Sequence, residues 1–483
     1  MTGCPLLIVV SDASKLAKNT VIYAMGDILP KLLNFITFPI LTHYLSPGEY
    51  GIANYVNSIE LLLAILTFLG LKTYYLVHYF KVGNEIEQKK LLGNLTIVVL
   101  FLNFLLCTAL MVVGANLFAI IGGGVNFFPY IALGVFANFF SIFGTLPCAL
   151  YRVRENPMPL TILNVVRGVL IMVATIFFIP SYPSSVTVLS IKLSINICFA
   201  IFFFYITCRN AIFKLNFLQL QHAFAFSLPL VPGDIAYYFS TMSDRIMIEK
   251  YLSVSDLGIY STAMTLAGIL NLLSYGFYRA IEPYFFKTYG QVKFRDSFRK
   301  IRDVFLIFIL FVALGLSLFS QLFMQIMTSE AYHSSYLLVP PLCIGVVLSS
   351  LSMMYSTVMT AQSKTKLNGF ISVLCAIVSV VLNILLLPYI GLIAAVTANV
   401  VVNLINYLLC RKYASLNIYS RNCLIPILLY LVICIFSVYF WHPSLVIGIT
   451  FKIVVLVLFT VVVMKAMKIK FCLLYEIVVH SKK

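Results

Sequence analysis

Thirteen charged side chains lie inside long apolar stretches of this chain, where their chemistry stands out. The basic ones are Lys31, Lys72, Arg167, Lys192, Arg245, Arg279 and Lys452; the acidic ones are Asp27, Glu60, Asp234, Asp244, Glu249 and Glu282. A charge held in hydrocarbon costs about 2.5–3.5 kcal/mol on insertion scales, so it needs a partner or a watery cavity. Three kinds of chemistry are open to such a set: attraction of an anionic ligand, exchange of a proton or sodium ion, and internal ion pairing. Lys31, Arg167, Lys192 and Arg245 are the candidates for binding an anion. Arg167 and Lys31 each lie about ten residues into a helix, near mid-membrane, where a side chain cannot easily reach water. Asp27, Asp234, Glu60 and Asp244 are the candidates for ion coupling. Pairing competes with both roles. Asp27 and Lys31 stand at i,i+4 and Arg279 and Glu282 at i,i+3, spacings that meet on one helix face. Arg167 and Lys192 have no acid on their own helices; they face a cavity or a carboxylate from another helix. Lys72, Arg279 and Lys452 are near helix ends and can extend to the interface.

The elements that position these groups are membrane helices. The chain has 483 residues, is 61% hydrophobic and 10% charged, and has a mean hydropathy of +1.02. A soluble protein of that size could not hide so much apolar surface. Apolar runs of about 20 residues, the length that spans a bilayer, recur throughout. The pattern predicts an all-α polytopic membrane protein with about 14 spans, at 20–43, 51–80, 91–118, 127–149, 158–180, 186–208, 223–249, 257–285, 303–327, 336–361, 368–388, 392–410, 423–441 and 444–466. No cleavable signal peptide is expected, because the apolar stretch Leu6–Val10 is too short.

Charge in the connections sets the expected orientation. Alternate connections carry the basic residues, from Lys81, Lys89 and Lys90 through Arg152 and Arg154 to Arg411, Lys412 and Arg421, and the largest of them runs from Phe286 to Asp303. With the two ends, these segments hold 25 of the 33 Lys and Arg residues. This is the positive-inside pattern, and it predicts both termini in the cytoplasm. The net charge of +17 is then a matter of topology and anionic lipid, not of nucleic acid.

A repeat organises the helices. Gly26-Asp27-Ile28, Tyr44-Leu45-Ser46 and Gly51-Ile52 return as Gly233-Asp234-Ile235, Tyr251-Leu252-Ser253 and Gly258-Ile259, always 207 residues on, with Glu49 falling on Asp256. The expected organisation is two pseudo-symmetric six-helix lobes: residues 1–208, a cytoplasmic linker 209–222, and 223–412. Two extra helices and a basic tail complete the chain at 413–483. Six helices per half keep both halves in one orientation, as in parallel transporter repeats. Pro30 and the stretch Leu228–Gly233 predict kinks beside Asp27 and Asp234.

Gly26-Asp27-Ile28 through Pro39, followed by Tyr44-Leu45-Ser46-Pro47-Gly48-Glu49-Tyr50-Gly51, resembles the opening of the Wzx-type polysaccharide flippases. This family translocates O-antigen or capsule repeat units, within the larger group that holds multidrug exporters and lipid II flippases. Tyr151–Asn156 and Pro388–Gly391 are similar to its connections. The resemblance implies an alternating-access membrane transporter with no catalytic residues. Its substrate would be a polyprenyl-diphosphate-linked oligosaccharide, carried to the outer leaflet of the bacterial inner membrane for O-antigen, capsule or exopolysaccharide synthesis. Lys31, Arg167, Lys192 and Arg245 would then attract the diphosphate or acidic sugars. A polysaccharide polymerase and chain-length machinery are the protein partners it suggests, and the repeat argues for a monomer.

Two other classes compete. An ion-coupled multidrug exporter on the same fold would favour an acidic cavity. A membrane polysaccharide polymerase would need catalytic groups on a sizeable outer loop, and these loops are short. The 11 cysteines lie mostly in apolar runs without a CxxC, and the six histidines are scattered. No metal and no cofactor are expected beyond a coupling proton or sodium ion.

Overall fold

In the computed structural model, the structure describes residues 25–466 apart from 27, 122–123, 417–420 and 441–444. Asp27 and, apart from Lys465, the basic residues of both ends therefore lie outside the described residues. Everything described is helical or connects helices. Among the described residues, eleven helices are long and apolar enough to cross a membrane, and they correspond to eleven of the fourteen expected spans. The protein is a multi-pass membrane protein.

The chain falls into two compact units, residues 1–258 and 259–483. The first unit begins with α1 (residues 28–44). It continues with α2 (Pro47–Phe68), α3 (Leu71–His78), α4 (Glu85–Ile121), α5 (Ala132–Ser141), α6 (Thr145–Val153), α7 (Pro157–Phe178), α8 (Ser185–Asn210), α9 (Phe217–Ser227) and α10 (Val231–Tyr251). Within it α5 packs on α8 and α2, α7 lies along α8, and α10 rests on α2. In the second unit, which takes most of α11 (Val254–Thr288), α12 (Phe294–Leu318) and α14 (Val339–Ala361) are its most buried helices. α13 (Ser320–Met327) follows α12; α15 (Thr365–Ile390) and α16 (Leu392–Ala414) pack together, with α16 along α14. The additional helices α17 (Arg421–Cys434) and α18 (Leu445–Ala466) both rest on α12.

Local sequence explains where helices start and stop. Ser46 caps α2, its Oγ accepting from the Glu49 amide at 3.3 Å, with Pro47 in the first turn. Its counterpart Ser253 caps α11: Oγ accepts from the Asp256 amide at 3.0 Å and donates to the Asp256 carboxylate at 2.6 Å. The repeat thus preserves a cap and an acidic partner three residues on. It also preserves a contact. A Cβ on Gly51 would run into the carbonyl oxygen of Val254, and a Cβ on Gly258 into that of Pro47. Pro47 and Val254 are themselves 207 residues apart, so the two contacts exchange equivalent partners. Only glycine lets the backbones come this close.

The spans 20–43, 223–249 and 423–441 have no counterpart among the eleven, 20–43 being described only from residue 25 and represented by the shorter α1, and 51–80 is matched only in part. The stretch 51–80 is not one helix, because Leu69 and Gly70 take positive φ (45° and 77°), ending α2 and starting α3. The stretch 223–249 is divided by a 3-10 turn at Leu228–Leu230, with Pro229 in the turn and Pro232 just after it in α10, and α10 carries Asp234, Asp244, Arg245, Glu249 and Lys250. It therefore lacks the length and apolarity of a simple span. The stretch 423–441 is a shorter apolar helix over Ile425–Val438. One connection is also corrected. Arg302 and Asp303, expected at the end of an exposed basic segment, are 1% and 7% exposed on α12. Their ion pair (2.6 Å) and a bond from Arg302 to Tyr355 (3.1 Å) compensate the buried charge.

Candidate functional site

The first unit brings three of the eight singled-out residues together. α2 presents Asn57 and Glu60 three residues apart, so they share a face. Across from them on α8, the Lys192 ammonium donates to Glu60 Oε2 and to Asn57 Oδ1, each at 2.5 Å. The unpaired cation on α8 therefore finds its acid on another helix. Gly134 lets α5 approach α2: a Cβ there would run into Val56 Cγ1 of α2, one turn from Glu60. Arg167, on α7, donates from Nη2 to Asn196 Oδ1 at 2.5 Å, and the Asn196 amide in turn donates to the Ala137 carbonyl at 2.8 Å. The charges of both Lys192 and Arg167 act on Glu60.

This cluster is incompletely satisfied. Among the described residues, Glu60 Oε1 and Arg167 Nε are buried without a hydrogen-bond partner. A buried polar atom left unpaired carries a penalty of about 1–3 kcal/mol, so the arrangement keeps one acceptor and one donor ready for another group. It can bind an anion at the guanidinium or a proton or cation at the carboxylate. It has no nucleophile–base pair, and among the described residues no group of three His, Cys, Asp or Glu side chains could hold a metal.

The other described candidates lie on α1 and α10. Lys31 is exposed on α1, and Asp234 is exposed in the first turn of α10, where a helix N-terminus favours negative charge. Asp244 is buried on α10 and accepts from the Arg245 amide at 2.9 Å. Arg245 directs Nη1 at Met242 Sδ.

Asn57 and Asn196 were missed from the sequence, although an amide within an apolar run was the available signal. Two further carboxylates have positions that spacing did not reveal. Glu249 is buried at the end of α10 and accepts from the amides of Gly124 (2.6 Å) and Val125 (3.1 Å). Glu49 accepts from the Ser185 amide (2.5 Å) at the start of α8. Each glutamate ties a connection to a helix it does not adjoin in sequence.

Residues 16–289 match the family described as polysaccharide biosynthesis protein. The chain belongs to the polysaccharide biosynthesis protein family. Residues 229–385 also match the MatE family. Among curated proteins, a Lsg locus protein of Haemophilus influenzae is 23% identical over 289 residues, 58% of this chain and 68% of its own. An uncharacterized membrane protein of the same organism is 23% identical over 300 residues, covering 59% and 69%. Among solved structures, the lipid II flippase MurJ in an inward closed conformation superposes with a TM-score of 0.73 at 14% identity, covering 92% of this chain and 99% of its own. A MATE family transporter of the MOP superfamily, described as a multidrug resistance protein, gives 0.66 at 14% identity, covering 81% and 98%. The chain shares the fold of these two solved structures. This member of the polysaccharide biosynthesis protein family is a multi-pass membrane protein.

Proposed function

We propose that this protein flips polyprenyl-diphosphate-linked oligosaccharide from the cytoplasmic to the outer leaflet of the bacterial inner membrane, supplying a surface polysaccharide. The observation that carries the reading is the Glu60–Lys192–Arg167 cluster, with its unmet guanidinium donor, inside the apolar helices of a polysaccharide biosynthesis transporter. A sugar head group cannot cross hydrocarbon, because its hydroxyls would lose water. A polar path between two repeated lobes removes that penalty, and alternating access carries the head across. In this reading both termini face the cytoplasm, in keeping with the basic connections. Arg167 and Lys192 attract the diphosphate, with Lys31 and Arg245 as further cationic contacts. Glu60 exchanges a proton or sodium ion, a role for which Asp27, Asp234 and Asp244 are also candidates. A polymerase and its chain-length partner consume the product, and the protein acts as a monomer.

Deleting the gene and quantifying lipid-linked oligosaccharide in each leaflet, with surface polymer alongside, tests this. The expected result is lost polymer with lipid-linked repeats trapped on the cytoplasmic side. Normal polymer with no trapped lipid, in a host lacking a second flippase, overturns it. The MatE match over residues 229–385 favours a second reading, ion-coupled export of a small molecule, and that result would shift the assignment to it.

A further inference from the structure

A trough of about 690 Å³ lies between the C-terminal half of α7 and the N-terminal half of α8. Its wall is hydrocarbon and aromatic: Leu170, Val173, Phe177 and Phe178 from α7, and Ile195 and Cys198 from α8. Leu170, Phe177 and Phe178 are exposed within the protein, and their helices are among the most outward-facing of the candidate spans. The trough therefore opens to lipid.

Its inner end distinguishes it from an ordinary lipid-facing crevice. Arg167, Leu170, Ala174, Phe177 and Ser181 follow one another at i, i+3, i+7, i+10 and i+14, a single stripe of a helix. Arg167 thus stands on the stripe of α7 that lines the trough, one turn before Leu170. On α8 the same transition occurs, since Asn196, which holds Arg167, stands beside Ile195. Arg167 is ten residues into α7, about 15 Å along the axis, which is half the hydrocarbon thickness. The geometry is that of a hydrocarbon trough whose inner end, at Leu170, lies one helical turn from a cation at mid-membrane with one guanidinium donor unmet.

A phospholipid of the bilayer does not fit this description, because its head group stays at the interface while the cation is at mid-depth. The lipid that fits is one whose anionic head is itself inside the membrane, as happens in transit. We propose that the α7/α8 trough holds the head-proximal isoprenoid chain of the transported lipid while its diphosphate stands at Arg167. The inference rests on the flippase reading and adds a site for the tail.

The test is photocrosslinking in the native host. Benzoylphenylalanine replaces Phe177 in the trough or, as a control, Phe101, an exposed side chain on α4. Adducts are then identified by mass spectrometry. Position 177 is expected to capture polyprenyl-diphosphate lipid at least tenfold more often than position 101. Phospholipid alone at both positions overturns the tail site. As a second arm, Ala174→Trp fills the trough; polymer export is expected to fall at least tenfold at unchanged membrane abundance, and unchanged export also overturns it. If the deletion strain traps lipid-linked sugar while position 177 captures only phospholipid, the tail site fails and the flippase reading stands. If the deletion strain traps none, the flippase reading fails first.

Discussion

The Glu60–Lys192 pair makes a quantitative prediction. Its charges are 2.5 Å apart, with side-chain exposures of 11% and 27%. At an effective dielectric of roughly 20, the attraction is about 7 kcal/mol. Desolvation consumes several kcal/mol per ion, so the intact pair contributes little net stability, whereas removing one partner typically costs about 3–5 kcal/mol. The two single substitutions should not be equal. Glu60→Gln keeps an amide oxygen for Lys192, and Asn57 still accepts from the ammonium; the expected loss is about 2 kcal/mol. Lys192→Met leaves a carboxylate whose Oε1 already lacks a partner, and the expected loss is about 4 kcal/mol. The double variant has no unpaired charge, so its loss should be about 3 kcal/mol, a coupling near 3 kcal/mol. Equilibrium unfolding of the purified protein in lipid–detergent micelles, followed by Trp441 fluorescence and circular dichroism, measures all four species. Single effects that add to within about 0.5 kcal/mol would show that the pair is not formed in the membrane. A Glu60→Gln loss exceeding that of Lys192→Met would refute the argument from the unpartnered oxygen.

Three further outcomes follow from the geometry. Gly51→Ala and Gly258→Ala each drive a methyl into a backbone carbonyl, and each should lower stability by about 1–3 kcal/mol, read by the same unfolding assay; no loss would mean that the close approach is relieved at little expense. Glu249→Ala removes an acceptor shared by the Gly124 and Val125 amides, so hydrogen exchange of the peptide holding them should accelerate about tenfold or more, while exchange elsewhere in the first unit stays unchanged. Arg302→Met strands the buried Asp303 carboxylate and should destabilise by about 3–5 kcal/mol, with much of that recovered by adding Asp303→Leu; failure of the second change to rescue would argue against the pair.

Much of this protein is legible in its sequence because membrane insertion is decided locally. An apolar run of about 20 residues must satisfy its own backbone as a helix whatever surrounds it, and eleven expected spans correspond to helices of the structure. The caps at Ser46 and Ser253 are equally local, as is the 207-residue register that relates them. The departures arise where local signals conflict with packing. α2 stops at Leu69 although the apolar pattern runs on, because the chain turns there through two left-handed residues. Arg302 counts as a loop charge by position, yet neighbouring helices bury it against Tyr355.

The candidate site divides in the same way. Residue type and depth single out Glu60, Arg167 and Lys192, since a charge in hydrocarbon is expensive wherever it occurs. Their partners are another matter. Lys192 reaches Glu60 across 132 residues and Arg167 reaches Asn196 across 29, and no periodicity within one helix specifies which face of another it will meet. Helix packing makes that choice, and with it decides that an apolar trough begins one turn beyond Arg167.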